Sequence, residues 1–334
     1  MSGLDVPLSV LDLAPVTADS TPAAALANSV ELAKHVERLG YNRHWVAEHH
    51  NMAGIASSSP AVLIAHLATS TSRMRIGAGG VMLPNHASLT VAEQFGMLEA
   101  LHPGRIDLGL GRAPGTDPVT AAALRRSPMT NKDEFPEQLS DLLAYFEGSH
   151  PKIHAVPAQG YRPEMWMLGS SDYSAQVAGM IGMPFSFAHH FSSANTAQAL
   201  TAYREAFQPS AQLEQPYAMI GVAVICTPEP DEAKFLSGPS AMSMLRLRQG
   251  QPVQMSSPEE VADHEFSSTE LTFIEQWQRP LVLGDPSAVR NQLEELVKRY
   301  QVDELMITTM VYDHTDRLRS YELVAEAWGL ATNP

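Results

Sequence analysis

Along this chain, short runs of β-branched and aliphatic residues alternate with longer stretches of helical period, and this alternation constrains the fold more than any other feature. Strand patterns occupy residues 6–13, 42–48, 74–79, 105–110, 164–168, 184–188, 217–226 and 304–310. Helical patterns occupy 22–39, 60–71, 89–101, 134–146, 173–181, 194–207, 288–300 and 317–328, with a further helix within 269–278. In the first helix Ala25, Val30, Leu32, Ala33, Val36 and Leu39 recur at helical spacing, and Gly40 stands where a left-handed C-terminal cap belongs. Such a sequence predicts parallel strands joined by crossover helices. Eight units without a linker or composition break predict one (β/α)8 TIM barrel, a single domain over residues 1–334. Two stretches break the alternation, at about 113–163 and 238–268, and are read as insertions; they hold the length beyond the ~250 residues of a typical barrel.

A doubly wound nucleotide-binding sheet is the competing α/β architecture, and its phosphate loop is missing. Gly77-Ala-Gly79-Gly80-Val-Met82 puts Met in the place of the third glycine, and Gly109-Leu-Gly111-Arg-Ala-Pro114-Gly115 brings its last glycine one residue late. No Walker loop, HExxH or GxSxG elbow occurs. The charge balance, 22 Lys and Arg against 37 Asp and Glu, is −15, which argues against a nucleic-acid partner or an anionic membrane surface. Cys226 is the single cysteine, so neither an internal disulfide nor a thiolate metal cluster forms within one chain. The longest apolar run, 217–226, is half of the ~20 residues a bilayer span needs, and Met1 to Asp5 have neither a basic nor an apolar leader character. A cytoplasmic protein without a membrane partner is expected.

Barrel chemistry gathers at the C-terminal ends of strands. The expected ends are Asp12-Leu13, Glu48-His49-His50-Asn51, Gly79-Gly80, Gly111-Arg112, Gly169-Ser170-Ser171, His189-His190 and Tyr312-Asp313-His314. In Glu48-His49-His50, an imidazole can serve as a base near neutral pH and a carboxylate can orient it; equally, one histidine can cap or pack the loop. A shared metal ion ranks below both, because adjacent residues of a strand point to opposite faces. Gly169-Ser170-Ser171-Asp172-Tyr173-Ser174 opens a helix after a strand, which suits either a phosphate cradle or a plain Ser N-cap. Asp172 is expected to face solvent. Gly79-Gly80 either admits a flat ligand against bare backbone or makes a turn. Arg112 suits an anionic ligand, a carboxylate such as Glu48, or a structural ion pair. His86, His189 and His190 are secondary candidates.

Taken in order along the chain, these pieces resemble the bacterial-luciferase-like family of flavin-dependent monooxygenases, in particular its subgroup of luciferase-family oxidoreductases, group 1. The resemblance runs through Gly40 to His50, Gly77 to Pro84, Ala92-Glu93-Gln94, Pro103 to Arg112, Trp166 to Ser171 and Val282 to Pro286. It implies a barrel, usually a homodimer, that holds reduced FMN at the strand C-termini. In the luciferases the flavin reacts with O2 to give a C4a-peroxide that attacks an aldehyde, assisted by a histidine that corresponds to His49. Glu48 and Arg112 would support it. Gly79-Gly80 matches a segment with a non-prolyl cis peptide beside the flavin ring, and Gly169, Ser170, Ser171 and Ser174 match the phosphate turn. Leu13 and Gly111 belong to the same cofactor site. Gly111 stands where the luciferase α chain has a reactive cysteine, so cysteine-dependent features are not implied, nor is light emission. The resemblance points to the two-component type, with a separate flavin reductase as partner, and the lack of a nicotinamide fingerprint fits that division of labour. The substrate class would be a small organic molecule such as an aldehyde or ketone. Two alternatives stay open: hydride transfer with the deazaflavin F420, and a non-catalytic flavin-binding barrel.

Overall fold

The structure, a computed structural model, describes residues 6–113, 116–124, 134–251 and 253–331. Met1 to Asp5, Pro114 and Gly115, singled out above, lie outside these residues. The strands are β1 (Leu8–Asp12), β2 (Arg43–Val46), β3 (Arg75–Met82), β4 (Ile106–Gly111), β5 (Glu164–Gly169), β6 (Phe185–Phe187), β7 (Ala218–Cys226), β8 (Val282–Gly284) and β9 (Glu304–Thr308). All pair in parallel. β1 to β7 are successive neighbours, and β9 pairs with both β7 and β1, which closes an eight-strand barrel. β8 lies outside the ring on β7 alone. It falls in a segment whose sequence pattern predicts only a turn at 284–287. Residues Met219 to Ala223 of β7 pair with β9, and the last three residues, Val224 to Cys226, run past its end and offer Val282 to Gly284 a free edge.

Helices cover the outside: α1 (Pro22–Arg38), α2 (Pro60–Ser70), α3 (Ser88–Leu101), α4 (Pro118–Ala123), α5 (Phe135–Glu147), α6 (Asp172–Met180), α7 (His189–Ser192), α8 (Thr196–Ala206), α9 (Pro230–Arg248), α10 (Pro258–Ala262), α11 (Ser268–Gln278), α12 (Pro286–Tyr300) and α13 (His314–Trp328). α1 shows why they form. Thr21 caps it by accepting from the Ala24 N–H, Pro22 stands in the first turn, and Ala25, Leu32, Ala33 and Val36 are buried on one face. The stretch expected to be irregular from 238 is helical as far as Arg248, with Pro239 inside α9. An interior proline costs about 3 kcal/mol. Packing outweighs it here, because Met242 and Leu245 are buried with Val261 of α10 and against Phe273 and Ile274 of α11.

Strand alternation sorts the barrel interior into layers. At the N-terminal ends Arg43, Asp107, Glu164 and Glu304 form a buried ion network: Arg43 reaches Asp107 at 3.0 Å, Glu164 at 2.9 Å and Glu304 at 3.0 Å. Two residues further along lie Leu11, Trp45, Trp166, Met219 and Met306, with Trp45 edge-on to Trp166 at 5.2 Å. Gly77 leaves the space in which the Trp45 indole N–H donates to Asp107 at 2.8 Å; a Cβ there would lie 2.8 Å from Nε1. One further step brings Leu13, Gly79, Gly111, Leu168 and Gly221 to the mouth, where the largely glycine ring leaves an opening.

Candidate active site

That opening is a cavity of about 650 Å³ at the C-terminal ends of the strands, within the ~300–1,000 Å³ usual for cofactor and small-molecule sites. Leu13, His49, Gly79, Gly111, Arg112, Gly169, Ser170, Ser171 and Ser174 all line it. Glu48 and Gly80 stand behind its wall. The Gly79-Gly80 peptide is cis. Gly80 is packed where a Cβ would lie 2.4 Å from Leu168 Cδ1 and 2.6 Å from the Gly109 carbonyl oxygen.

His49 is half-buried, with its backbone N–H on the Ser57 carbonyl at 3.0 Å. The carboxylate of Glu48 is fully buried and accepts from His50 Nε2 at 3.0 Å, His86 Nε2 at 2.9 Å, Asn85 Nδ2 at 3.2 Å and the Met82 N–H at 3.0 Å. Burial opposes its charge, yet the bonds from His86, His50 and Met82 prevail and hold its pKa below the ordinary carboxylate value. Thus the two histidines that follow Glu48 divide: His49 faces the cavity, and His50 turns back to the carboxylate. His86, a secondary candidate in the sequence, is the second imidazole on Glu48. The loop beyond is tied to the start of α4, since Asn51 Nδ2 donates to Asp117 at 3.0 Å and Thr116 Oγ1 donates to the His50 carbonyl at 3.1 Å.

Ser171 occupies the N-cap position of α6, but its side chain makes no capping bond. The plain-cap reading therefore does not describe it, and the residue lines the cavity. Gly169 lies so close to Ser174 that a Cβ would sit 2.5 Å from the serine Cβ. Asp172 takes a hydrogen bond from Gln198 of α8 and does not line the cavity. The Arg112 guanidinium lies over the ring of Tyr173, 3.9 Å from its centroid, which brings a cation beside the serine turn. Among the described lining residues the titratable or charged side chains are His49, Arg112 and His190, and none is a carboxylate. An anionic, partly flat ligand fits this arrangement: two serines, a helix N-terminus and a guanidinium lie together in one part of the lining, and Gly79, Gly111 and Gly221 leave bare backbone in another.

His189 and His190 separate as well. His189 is buried away from the cavity, with Nδ1 2.7 Å from Thr196 Oγ1, and burial, with the Arg299 charge, pushes its pKa down to about 4. His190 lines the cavity. Met82, Phe187, Phe191, Pro118, Ala121 and Ala122 form the apolar wall. Sequence reading missed these: α4 lies in a stretch without periodicity, and Phe187 reads as an ordinary strand residue. Cys226 is buried, and desolvation raises its thiol pKa to about 12, which leaves it unreactive. Among the described residues no cluster of His, Cys, Asp and Glu has metal-holding geometry, and no helix is long and apolar enough to cross a membrane.

Comparison with known proteins agrees with this architecture. The profile of the luciferase-like monooxygenase family matches residues 6–303. The chain is 47% identical over 327 residues to the uncharacterized protein YvbT of Bacillus subtilis, covering 97% of each. It is 42% identical over 328 residues to a luciferase-like monooxygenase of Escherichia coli K12, covering 98% of each. The crystal structure of apo-MsnO8 superposes with a TM-score of 0.92 at 36% identity, covering 98% of this chain and 100% of that one. With a family profile spanning most of its length, relatives matching end to end and the same barrel, the chain belongs to the luciferase-like monooxygenase family.

Proposed function

We infer that the protein is an FMN-dependent monooxygenase of the two-component kind, receiving reduced FMN from a separate reductase and oxygenating a small organic substrate such as an aldehyde or ketone. The observation that carries this reading is the convergence, in one cavity whose described lining holds no carboxylate, of the serine turn at α6, Arg112 beside it and the glycine floor at Gly79 and Gly111. Ser170, Ser171 and the α6 N–H groups would hold the phosphate, with Arg112 adding charge and Ser174 shaping the turn against Gly169. Leu13, Gly79 and Gly111 would lie along the ring. Bound in its reduced form, FMN supplies the electrons that activate O2. His49 holds or moves a proton at the mouth, while Glu48, through His50 and the Met82 N–H, fixes the loop that carries His49 and the end of β3 that brings Met82 to the apolar wall. That wall would exclude water and accept the hydrocarbon part of the substrate. A homodimer working in the cytoplasm completes the reading.

The test is equilibrium binding of FMN, reduced FMN and F420, with O2 uptake by the protein loaded with reduced FMN. Preference for reduced FMN, with uptake stimulated by an aldehyde or ketone and lost in His49→Ala, supports it. Tight F420 binding without reduced-FMN binding moves the protein to the hydride-transfer reading, and unchanged turnover in His49→Ala removes the assigned proton role.

A further inference from the structure

His190 faces the cavity and has no role in the reading above. It lies on α7, directly after β6, and two contacts fix its ring. Nδ1 is 3.3 Å from the carbonyl oxygen of Gly221 on β7. Phe191 stands edge-on, 4.7 Å away between centroids at 87°. Gly221 has no side chain, and a Cβ there would lie 2.7 Å from Nδ1, so the glycine is what lets the imidazole reach the carbonyl. A carbonyl oxygen only accepts, so Nδ1 carries a proton, and in the neutral ring Nε2 then keeps its lone pair. The helix is anchored to the serine turn as well, because Ser192 Oγ donates to the Ser170 carbonyl at 3.2 Å.

We propose that His190 is a working group of the cavity: a neutral imidazole, set by Gly221 as the Nδ1–H tautomer, whose Nε2 accepts a hydrogen bond from an N–H or O–H group of the bound ligand. This rests on the flavin reading, in which the donor is either the imide N–H of the flavin ring or a hydroxyl of the organic substrate. The charge state agrees with the geometry. Burial holds the pKa of His190 down to about 4, the Gly221 carbonyl pulls the other way, and His189 on its own helix and His49 after β2 add like charge. Among the described residues Arg112, after β4, is the remaining charged group on the cavity wall, and none of them brings a carboxylate to the wall to favour an imidazolium. At neutral pH the site therefore offers an acceptor there, where a charged histidine would offer a second donor.

The tautomer is measured on the ligand-free protein by long-range proton–nitrogen NMR with labelled histidine, the His190 signals being those lost in His190→Gln. The expected result is an Nδ1–H imidazole that does not titrate between about pH 8 and about pH 5.5; an Nε2–H tautomer, or titration near the ordinary ~6.5, overturns the proposal. The ligand arm compares FMN and N3-methyl-FMN binding to the wild type, His190→Phe and His190→Gln. If the flavin is the donor, His190→Phe weakens FMN about tenfold and N3-methyl-FMN binds the wild type and the Phe variant alike. His190→Gln then restores most of the affinity, because its amide oxygen reaches the Nε2 position. If the substrate is the donor, FMN binding stays constant and KM for a straight-chain aldehyde, a hydroxyl donor in its hydrated form, rises about tenfold in His190→Phe. No change in either arm overturns the proposal. Failure of the wild type to bind FMN counts against the flavin reading alone, since the NMR arm needs no ligand.

Discussion

His86 Nε2 lies 2.9 Å from Glu48 Oε1, so the loop after β3 is clasped to the end of β2 through one buried carboxylate. The same carboxylate holds the Met82 N–H and His50. Removing its charge should loosen both loops at once. Glu48→Gln keeps the shape but turns an N–H2 group toward donors, so a loss of about 2–3 kcal/mol is expected in urea unfolding, together with reduced turnover. A variant as stable as the wild type would show that the clasp contributes nothing.

Acid should weaken the fold before the carboxylates protonate. His189 and His190 have folded-state values near 4, below the ordinary ~6.5 of an unfolded histidine. Between those values the unfolded chain binds more protons than the folded one, so stability falls as pH falls through that window, on the order of 1 kcal/mol per pH unit for each ring. Glu48, with its folded value depressed, adds a further loss lower down, as pH falls from its ordinary value through the folded one. Melting temperatures measured from pH 7.5 to pH 5 should decline, and less steeply in His189→Asn. A flat profile would contradict it.

The serine turn should distinguish FMN from riboflavin. Ser170→Ala and Ser171→Ala each remove one hydroxyl from the proposed phosphate site and should raise the FMN dissociation constant about five- to tenfold, with little effect on riboflavin. Arg112→Gln should act in the same direction. Equal losses for both flavins would place the phosphate elsewhere.

At the opposite end of the barrel, Arg43 neutralises Asp107 and Glu304, whose side chains are fully buried. Asp107 also pairs with Arg75, so Arg43→Met leaves Glu304 as the buried carboxylate without a cation, and a loss of about 3–5 kcal/mol is expected by denaturant unfolding. The cavity is at the far end of the strands, so FMN binding by the fraction that stays folded should be unchanged. A shift in affinity would reveal coupling along the barrel axis.

Most of the fold was legible because parallel strands and crossover helices leave different apolar periods, and eight repeats of that contrast are hard to produce otherwise. β8 was not, since three residues carry no period and exist as a strand only because β7 outruns β9. Nor was the helix through Pro239, which local propensity forbids and the contacts of Met242 and Leu245 permit.

The sequence by itself determined which residues stand at strand ends, because in a barrel that position follows from counting. Hence His49, Arg112, the paired glycines and the serines could be named in advance, and all but Gly80 of the glycines among them line the cavity. It could not determine pairing across strands. Glu48, next to His49 in the chain, meets His86, which is 38 residues away. Arg112 stacks on Tyr173, and His190 finds its carbonyl on β7. Those partners are chosen by closure of the sheet, which sets distant strand ends side by side, and the chemistry of each imidazole and carboxylate depends on the neighbour that closure provides.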